Sequence, residues 1–315
     1  MDHEGPRFGA AFWINRTGWP ALRDVALAAE GFGWDSIWLD DHLLCDEGDD
    51  LDPKLEGWTA LAALAPLTSR VRLGHLVTPV TFRNLGVIAK MATTLDHVSG
   101  GRFVLGLGAG WHPREHAAFG IDFGSGFGER LDRLDEAAGL LRRLLDGEVV
   151  THHGRFYDLD RAACAPRPLQ ARLPILIGGT GRTKTLRTVA RVADIWNAYA
   201  TPEQLGELQV ILAAHGDAVG RDVRSIERQV YVNVVVRSSA GAALEAWAQV
   251  RAAHGIVPGE DPLHAGGSPA EVAAALLTWV AAGVDEIVAV FRAPWDLETI
   301  ERLPEVRAAL STARG

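Results

Sequence analysis

Cysteine and metal-binding patterns are scarce in this sequence. Its 315 residues include only two cysteines, Cys45 and Cys164, which are far apart and form no CxxC pattern. His112 and His116 are four residues apart, but the residues between them do not complete an HExxH motif. Neither a disulfide framework nor a bound metal is therefore expected, and the cysteine usage is typical of a reducing, cytoplasmic setting.

Long apolar runs and a basic excess are also missing. No run approaches the roughly 18–20 apolar residues of a membrane helix, and the first residues, MDHEGPRFGAAFW, lack the apolar core of a signal peptide. The formal net charge is −9. Because nucleic-acid binding needs a basic face, we expect neither nucleic acid nor a membrane as a partner. The apolar fraction of 48% is ample for a globular core.

Strand-like and helix-like segments alternate along the chain. Short apolar runs predict eight strands, and most are followed by a segment of helical periodicity. The predicted strands are 8–14, 36–39, 71–77, 103–107, 174–177, 193–198, 229–236 and 285–291. Eight βα units predict an α/β fold, a TIM (β/α)8 barrel forming one domain over residues 1–315, with insertions near 111–128, 148–173 and 255–269. A doubly wound sheet is the alternative, but no GxGxxG follows the first strand.

A histidine follows the second predicted strand directly, in the sequence Asp40-Asp41-His42. The carboxyl ends of barrel strands form the catalytic mouth, and an imidazole titrates near neutral pH. His42 is therefore a candidate for proton transfer, with Asp41 either orienting it or binding a ligand hydroxyl. The alternative is a surface Asp-His pair at the entrance to a loop.

Glycines mark the ends of three later predicted strands. Gly74 interrupts the third strand and indicates a bulge, against which a flat ring could lie, although a plain buried strand is the alternative. Gly106, Gly108 and Gly110 alternate at the end of the fourth strand and would clear space for a ligand. Residues 178–182 (GGTGR) join the fifth strand to a helix, where backbone amides bind phosphate, unless they form only a tight turn.

Five segments together resemble one protein family. They are WLDDH at 38–42, LGHLVTPVTFRN at 73–84, LDHVSGGRFVLGLGAGWH at 95–112, GERLDRLDEA at 128–137 and PILIGGTGRTKTLRTVARVAD at 174–194. The set resembles the bacterial luciferase-like superfamily of TIM barrels. Within it, the chain is most similar to actinobacterial oxidoreductases that use coenzyme F420, an 8-hydroxy-5-deazaflavin. The resemblance covers most of the chain up to Asp194 and weakens afterwards.

The resemblance implies roles for individual residues. It implies that His42 transfers protons near the deazaflavin and that a non-prolyl cis peptide at Leu76-Val77 backs the central ring. The cofactor-binding residues that it implies are Asp41, Leu76, Val77, Thr78, Ala109, Gly110, Arg114, Gly178, Gly179, Thr180, Gly181 and Arg182.

One position departs from the family pattern. Sugar-phosphate dehydrogenases of the family carry a catalytic glutamate directly after the glycine run, where this chain has Trp111. A more apolar or unsaturated substrate is therefore expected, on which Trp13, Trp111 and Trp196 would stack.

The expected activity is hydride transfer between coenzyme F420 and a small organic substrate, by reduction of a C=C or C=N bond or oxidation of an alcohol. One alternative is an FMNH2-dependent monooxygenase of the same superfamily, with FMN as cofactor. A second alternative is a non-catalytic barrel that binds flavin or only pairs with a partner chain. Because the superfamily commonly dimerises, a homodimer is expected.

Overall fold

The computed structural model describes residues 5–45, 48–257, 259 and 261–314. Positions 258 and 260, within the predicted insertion near 255–269, lie outside the described residues, as do positions 1–4, 46, 47 and 315. The strands are β1 (Arg7–Trp13), β2 (Ser36–Leu39), β3 (Arg72–His75), β4 (Thr78–Pro79), β5 (Phe103–Gly108), β6 (Val150–His153), β7 (Asp158–Ala162), β8 (Ile175–Gly178), β9 (Ile195–Ala198), β10 (Glu227–Val232), β11 (Val234–Val236), β12 (Ala265–Gly267) and β13 (Glu286–Arg292).

Helices follow most of the strands and pack around them. They are α1 (Trp19–Gly31), α2 (Gly57–Leu64), α3 (Leu85–Val98), α4 (Pro113–Ala118), α5 (Phe127–Leu145), α6 (Thr185–Val192), α7 (Pro202–Val219), α8 (Ala240–His254), α9 (Pro269–Ala281), α10 (Leu297–Glu301) and α11 (Leu303–Arg314). Within the described ranges, no helix combines the length and the apolar character needed to cross a membrane.

The parallel strands close into a barrel. Their order is β3-β2-β1-β13-β10-β9-β8-β5-β4, and β3 also pairs with β5. Because β3 and β4 are two parts of one interrupted strand, the barrel has eight strand positions, which confirms the predicted TIM fold. Alternate strand residues fill the interior with a small apolar cluster of Ala11, Trp38, Leu76, Val104, Leu176, Ile195, Val288 and Val290.

Capping explains why the helices predicted at 202–219 and 269–281 match α7 and α9 residue for residue. Thr201 and Ser268 each accept a hydrogen bond from the backbone N–H three residues later, and Gln204 and Glu271 complete capping boxes. A proline follows each cap and suits the first helical turn. The start of both helices was therefore encoded locally.

Three predicted elements differ from the structure. Residues 111–128 are not all loop, because Pro113 begins α4 there. The predicted strand 229–236 is divided at Asn233. The backbone N–H of Asn233 donates to His264 Nδ1 (3.0 Å), and its backbone carbonyl accepts from the backbone N–H of His264 (3.0 Å). As a result β11 leaves the barrel and pairs with β12. The helix predicted over 297–310 is divided at Arg302, two residues before Pro304.

The glycine run in β5 makes room for the interruption of its neighbour. The Leu76-Val77 peptide between β3 and β4 is cis, as the resemblance implied. A Cβ at Gly106 would lie 1.9 Å from the His75 carbonyl oxygen, and one at Gly108 would lie 2.5 Å from Val77 Cγ2. The expectation that these two glycines clear space for a ligand is therefore wrong, because the bulge occupies that space.

We expect Gly106→Ala to lower the free energy of unfolding by about 1–3 kcal/mol, the range for overpacking against atoms that cannot move aside. Urea denaturation measures the change. Gly206→Ala in α7 is the matched control, since its Cβ meets nothing within 4 Å, and alanine should stabilise that helix by about 0.5–1 kcal/mol. Equal stability of the two variants would contradict this account.

Candidate active site

A histidine and a buried glutamate meet at the mouth of the barrel, the end where the parallel strands finish. His42 follows β2, and its Nδ1 lies 2.9 Å and 3.1 Å from the two carboxylate oxygens of Glu115 in α4. The Leu43 backbone N–H donates to the same carboxylate (2.9 Å). Burial opposes ionisation of Glu115, but these hydrogen bonds outweigh it and lower its pKa. Glu115 is therefore a carboxylate at neutral pH, and His42 donates to it through Nδ1.

Asp41 belongs to a different network. Arg83 donates to both of its oxygens, at 2.6 Å and 2.9 Å, and Trp58 Nε1 donates to one of them at 3.0 Å. Trp58 Nε1 also lies 3.0 Å from the hydroxyl of Thr78, which is fully buried. The prediction that Asp41 orients His42 is wrong, because Glu115 has that position. The cofactor contacts implied for Asp41 and Thr78 stay predictions.

A second histidine stands next to this pair. His112 Nδ1 is 3.8 Å from Glu115 Oε1, and the ligand atoms of His42, His112 and Glu115 all lie within 4.8 Å of one another. Two imidazoles and one carboxylate are also a set that transition metals accept. The expectation of no metal stays a prediction, and we expect elemental analysis of purified protein to find well under one metal ion per chain.

The mouth has two contrasting sides. On the glycine side, formed by the ends of β3, β5 and β8, the backbone dominates: Gly110 has φ +79°, Gly179 has φ +126°, and Val77 stands on the interior cluster. On the aromatic side, formed by β1, β13, β10 and β9, Trp13 and Tyr231 stand on the same cluster. His42 lies at the boundary, because β2 is between β1 and β3.

The segment 178–182 lies at the end of β8, as predicted. Trp196 Nε1 donates to the Gly179 carbonyl at 2.9 Å, and the Trp196 side chain is fully buried between strand and helices. The prediction that Trp196 stacks on a substrate is therefore wrong, because it faces away from the barrel interior. Arg182 points along the surface to Glu207 (2.6 Å). Phosphate binding by this segment, including Thr180 and Gly181, stays a prediction.

The other predicted residues lie around the same opening. Trp111 is 58% exposed, and its ring approaches the His42 ring at 5.4 Å between centroids. Arg114 donates to Asp50 (2.7 Å) and to the Cys45 carbonyl (2.8 Å), which ties α4 to the loop after β2. Ala109 is buried, so its predicted contact with a cofactor would involve its backbone.

Sequence reasoning missed Glu115, Tyr199 and Tyr231. Glu115 was read only as a residue inside a failed metal motif, and α4 had been taken for loop, so nothing indicated that it reaches His42. Tyr231 lies within a predicted strand, where an inward-facing ring and an outward-facing ring look alike. Alternation with the inward Gln229 is the signal that could have found it.

Buried neutral histidines should make stability depend on pH. His75 is fully buried against Trp58, with ring centroids 4.7 Å apart, and burial lowers its pKa; burial also lowers the pKa of His254 and His264. Below the ordinary histidine pKa of about 6.5, the unfolded chain binds more protons than the folded one, so stability is lost as the pH falls. We expect less unfolding free energy at pH 5.5 than at pH 7.5, and a shallower dependence for His75→Phe. Equal wild-type unfolding free energies at pH 5.5 and pH 7.5 would contradict the conclusion that these histidines are buried in the neutral form.

A parallel barrel with a hydrogen-bonded histidine–carboxylate pair at its mouth is the architecture of a TIM-barrel enzyme. The chain belongs to the luciferase-like monooxygenase family, whose profile matches residues 7–262. It is 37% identical over 192 residues to an F420-dependent glucose-6-phosphate dehydrogenase of Microbacterium testaceum, covering 60% of this chain and 55% of that protein. It is 32% identical over 168 residues to an uncharacterized protein of Mycobacterium tuberculosis, covering 53% and 58%. The chain thus matches little more than half the length of these relatives.

Solved structures agree with the fold. An F420-dependent secondary alcohol dehydrogenase in complex with an F420–acetone adduct superposes with a TM-score of 0.83 at 21% identity, covering 97% of this chain and 99% of that one. A riboflavin lyase with modified FMN and riboflavin superposes with a TM-score of 0.80 at 17% identity, covering 99% and 92%. At these identities the likeness concerns the fold.

Proposed function

We propose that this protein transfers a hydride between coenzyme F420 and a small organic molecule, either reducing a C=C or C=N bond or oxidising an alcohol. The observation that carries the proposal is the His42–Glu115 pair, with 2.9 Å between Nδ1 and Oε1, at the mouth of a barrel whose interior holds an apolar cluster. A proton donor beside a surface that supports a flat ring is what hydride transfer to a carbonyl, imine or activated alkene requires.

The residues at the mouth fit a flat tricyclic ring. Val77, at the bulge between β3 and β4, packs on the interior apolar cluster, and the backbone of Gly110 and Gly179 lies on the same side of the mouth. We assign the ring to the bulge at Leu76-Val77, the tail to Ala109, Gly110 and Arg114, and the phosphate to residues 178–182. When bound, the deazaflavin supplies or accepts the hydride at its ring carbon.

Residues of the chain itself hold and transfer the proton. His42 donates through Nδ1 to Glu115, so Nε2 is the atom that exchanges a proton with the substrate. The buried carboxylate stabilises the protonated imidazole by charge and by hydrogen bonding. Trp111 borders His42 and helps to exclude water from the reacting atoms.

A binding titration tests the cofactor. Deazaflavin fluorescence should change on addition of the protein and give a dissociation constant in the micromolar range or below. The F420-dependent relatives support this cofactor, while the family's description as monooxygenases supports FMN as the second candidate. Reduced FMN is therefore titrated side by side, with oxygen consumption recorded. Tight binding of FMN with substrate-dependent oxygen uptake, and none of F420, would replace the proposal with the monooxygenase.

Absorbance measurements distinguish the proposed enzyme from a non-catalytic barrel. A bound deazaflavin whose absorbance stays unchanged across a broad panel of alcohols, enones and imines would favour a binding-only barrel. The homodimer implied by the resemblance also stays a prediction, and sedimentation equilibrium measures the mass in solution.

A further inference from the structure

Three aromatic rings line the mouth on the side away from the glycines. Trp13 ends β1, Tyr231 stands near the end of β10, and Tyr199 directly follows β9. The Tyr199 and Tyr231 rings are stacked, with centroids 4.8 Å apart and planes 18° apart, and Trp13 lies 6.4 Å from Tyr231. We call these three residues the aromatic wall. Trp13 and Tyr231 pack on the interior apolar cluster, and all three rings keep part of their surface exposed.

The cation beside this wall is neutralised. Arg292, the last residue of β13, donates to Asp261 (2.5 Å) and to the side-chain oxygen of Asn233 (3.2 Å). Asn233 Nδ2 donates to the other oxygen of Asp261 (2.5 Å), and the Tyr199 hydroxyl donates to that same oxygen (3.3 Å). The ion pair is mostly shielded from solvent, with side-chain exposures of 14% and 22%. The guanidinium therefore has little charge left to offer to a ligand.

Two further cations near the mouth are matched in the same way. Lys54 pairs with Asp40, and Arg83 pairs with Asp41 while also reaching Glu56. The ionised Glu115 stands on the other border of the opening. An anionic substrate would thus lose its hydration and meet cations that already have carboxylate partners.

We propose that the aromatic wall is the substrate subsite and that it accepts an uncharged molecule with a flat, conjugated or aromatic ring and one polar group, and disfavours phosphates and carboxylates. A flat ring packs against tyrosine and tryptophan faces without needing a charge. The phenols remain neutral donors, because burial, reinforced by the nearby Asp261, raises the pKa of Tyr199 to about 12. This inference rests on the proposed function for the reaction that follows binding, but the binding itself is testable separately.

Two probes of matched shape test the charge preference: 2-acetonaphthone, which is uncharged, and 2-naphthoate, which is an anion. Their dissociation constants are measured by ligand-observed NMR on the full chain, with and without saturating F420. We expect the wild type to bind the ketone at least tenfold more tightly. Tyr231→Ala should weaken ketone binding tenfold or more, whereas Tyr231→Phe, which keeps the ring, should stay within threefold.

Asp261→Asn tests the neutralised cation. Removing the carboxylate charge leaves Arg292 available, so naphthoate binding should strengthen at least tenfold while ketone binding changes little. Asp222→Asn is the matched control, because Asp222 pairs with Arg224 before β10, at the opposite end of the barrel, and should leave both constants unchanged.

The outcomes are separable. Wild-type binding of naphthoate as tight as that of the ketone, or a probe ratio that Asp261→Asn does not move, would overturn the subsite assignment. Ketone binding of wild-type strength in both Tyr231→Ala and Tyr231→Phe would also overturn the subsite assignment. Failure of F420 to bind in the parallel samples would overturn the proposed function instead, and would leave the probe constants of the cofactor-free protein to decide the subsite.

Discussion

Replacing His42 with alanine should lower kcat by about 10²–10⁴, the usual contribution of a positioned general acid or base, while the dissociation constant for F420 stays within about threefold. The reason is that proton transfer and ring binding are assigned to different parts of the mouth. Glu115 holds the imidazole at the border of the mouth, at 2.9 Å, whereas the ring is assigned to the bulge at Leu76-Val77. Loss of the imidazole thus removes the proton donor and leaves the ring's support intact. Stopped-flow measurement of deazaflavin absorbance separates the two quantities.

The chain offers a matched control for that variant. His152 in the hairpin β6–β7 also pairs with a glutamate, Glu136, at 3.1 Å, but on the outer surface of the barrel. His152→Ala should therefore leave both kcat and cofactor binding unchanged. Equal activity of His42→Ala and wild type would remove His42 from the reaction, and a large loss of F420 binding would reassign it to the cofactor site.

Changing Glu115 to glutamine should reduce kcat by about 10–100-fold, since it removes the charge that stabilises protonated His42 while keeping the side chain's shape. The effect should depend on pH. Without the carboxylate the imidazole loses its proton more readily, so the alkaline limb of the kcat profile should move to lower pH. A purely structural role would lower activity equally at every pH, which makes the profile the decisive measurement.

The acidic side of the same profile follows from Glu115 itself. Its pKa in the folded protein is lowered, so the pair is complete above the ordinary glutamate range and is lost as the pH falls through the folded value. Glu136→Gln is the control, because it removes the carboxylate of the surface pair with His152. An unshifted alkaline limb in Glu115→Gln would show that Glu115 does not act through His42.

The barrel was predictable from the sequence because its signals are local. Apolar runs mark the strands, and capping residues such as Thr201 and Ser268 mark helix starts within one turn of the chain. The division of the seventh strand was not predictable, since it depends on His264, 31 residues away from Asn233. Only the folded chain brings the two together.

The candidate site was predictable in part for the same reason. His42 was identified from its place after a strand, and the cis Leu76-Val77 peptide from the family resemblance, and both lie where expected. The partner of His42 is 73 residues away on a short helix that begins at Pro113, and no periodicity links them. Trp196 was misplaced because the alternation of a strand fixes two faces but does not say which faces the interior.

The two-sided mouth also bears on how the substrate of such a protein could change. The ring and phosphate assignments fall at the ends of β3, β5 and β8, up to residue 182, whereas the rings and the ion pair of the other side come mainly from β9, β10 and β13, after residue 194. A new substrate range can therefore arise in the part of the polypeptide after residue 194 while the cofactor's share of the barrel stays untouched. Trp13 is the exception, the one wall residue that the amino-terminal portion contributes.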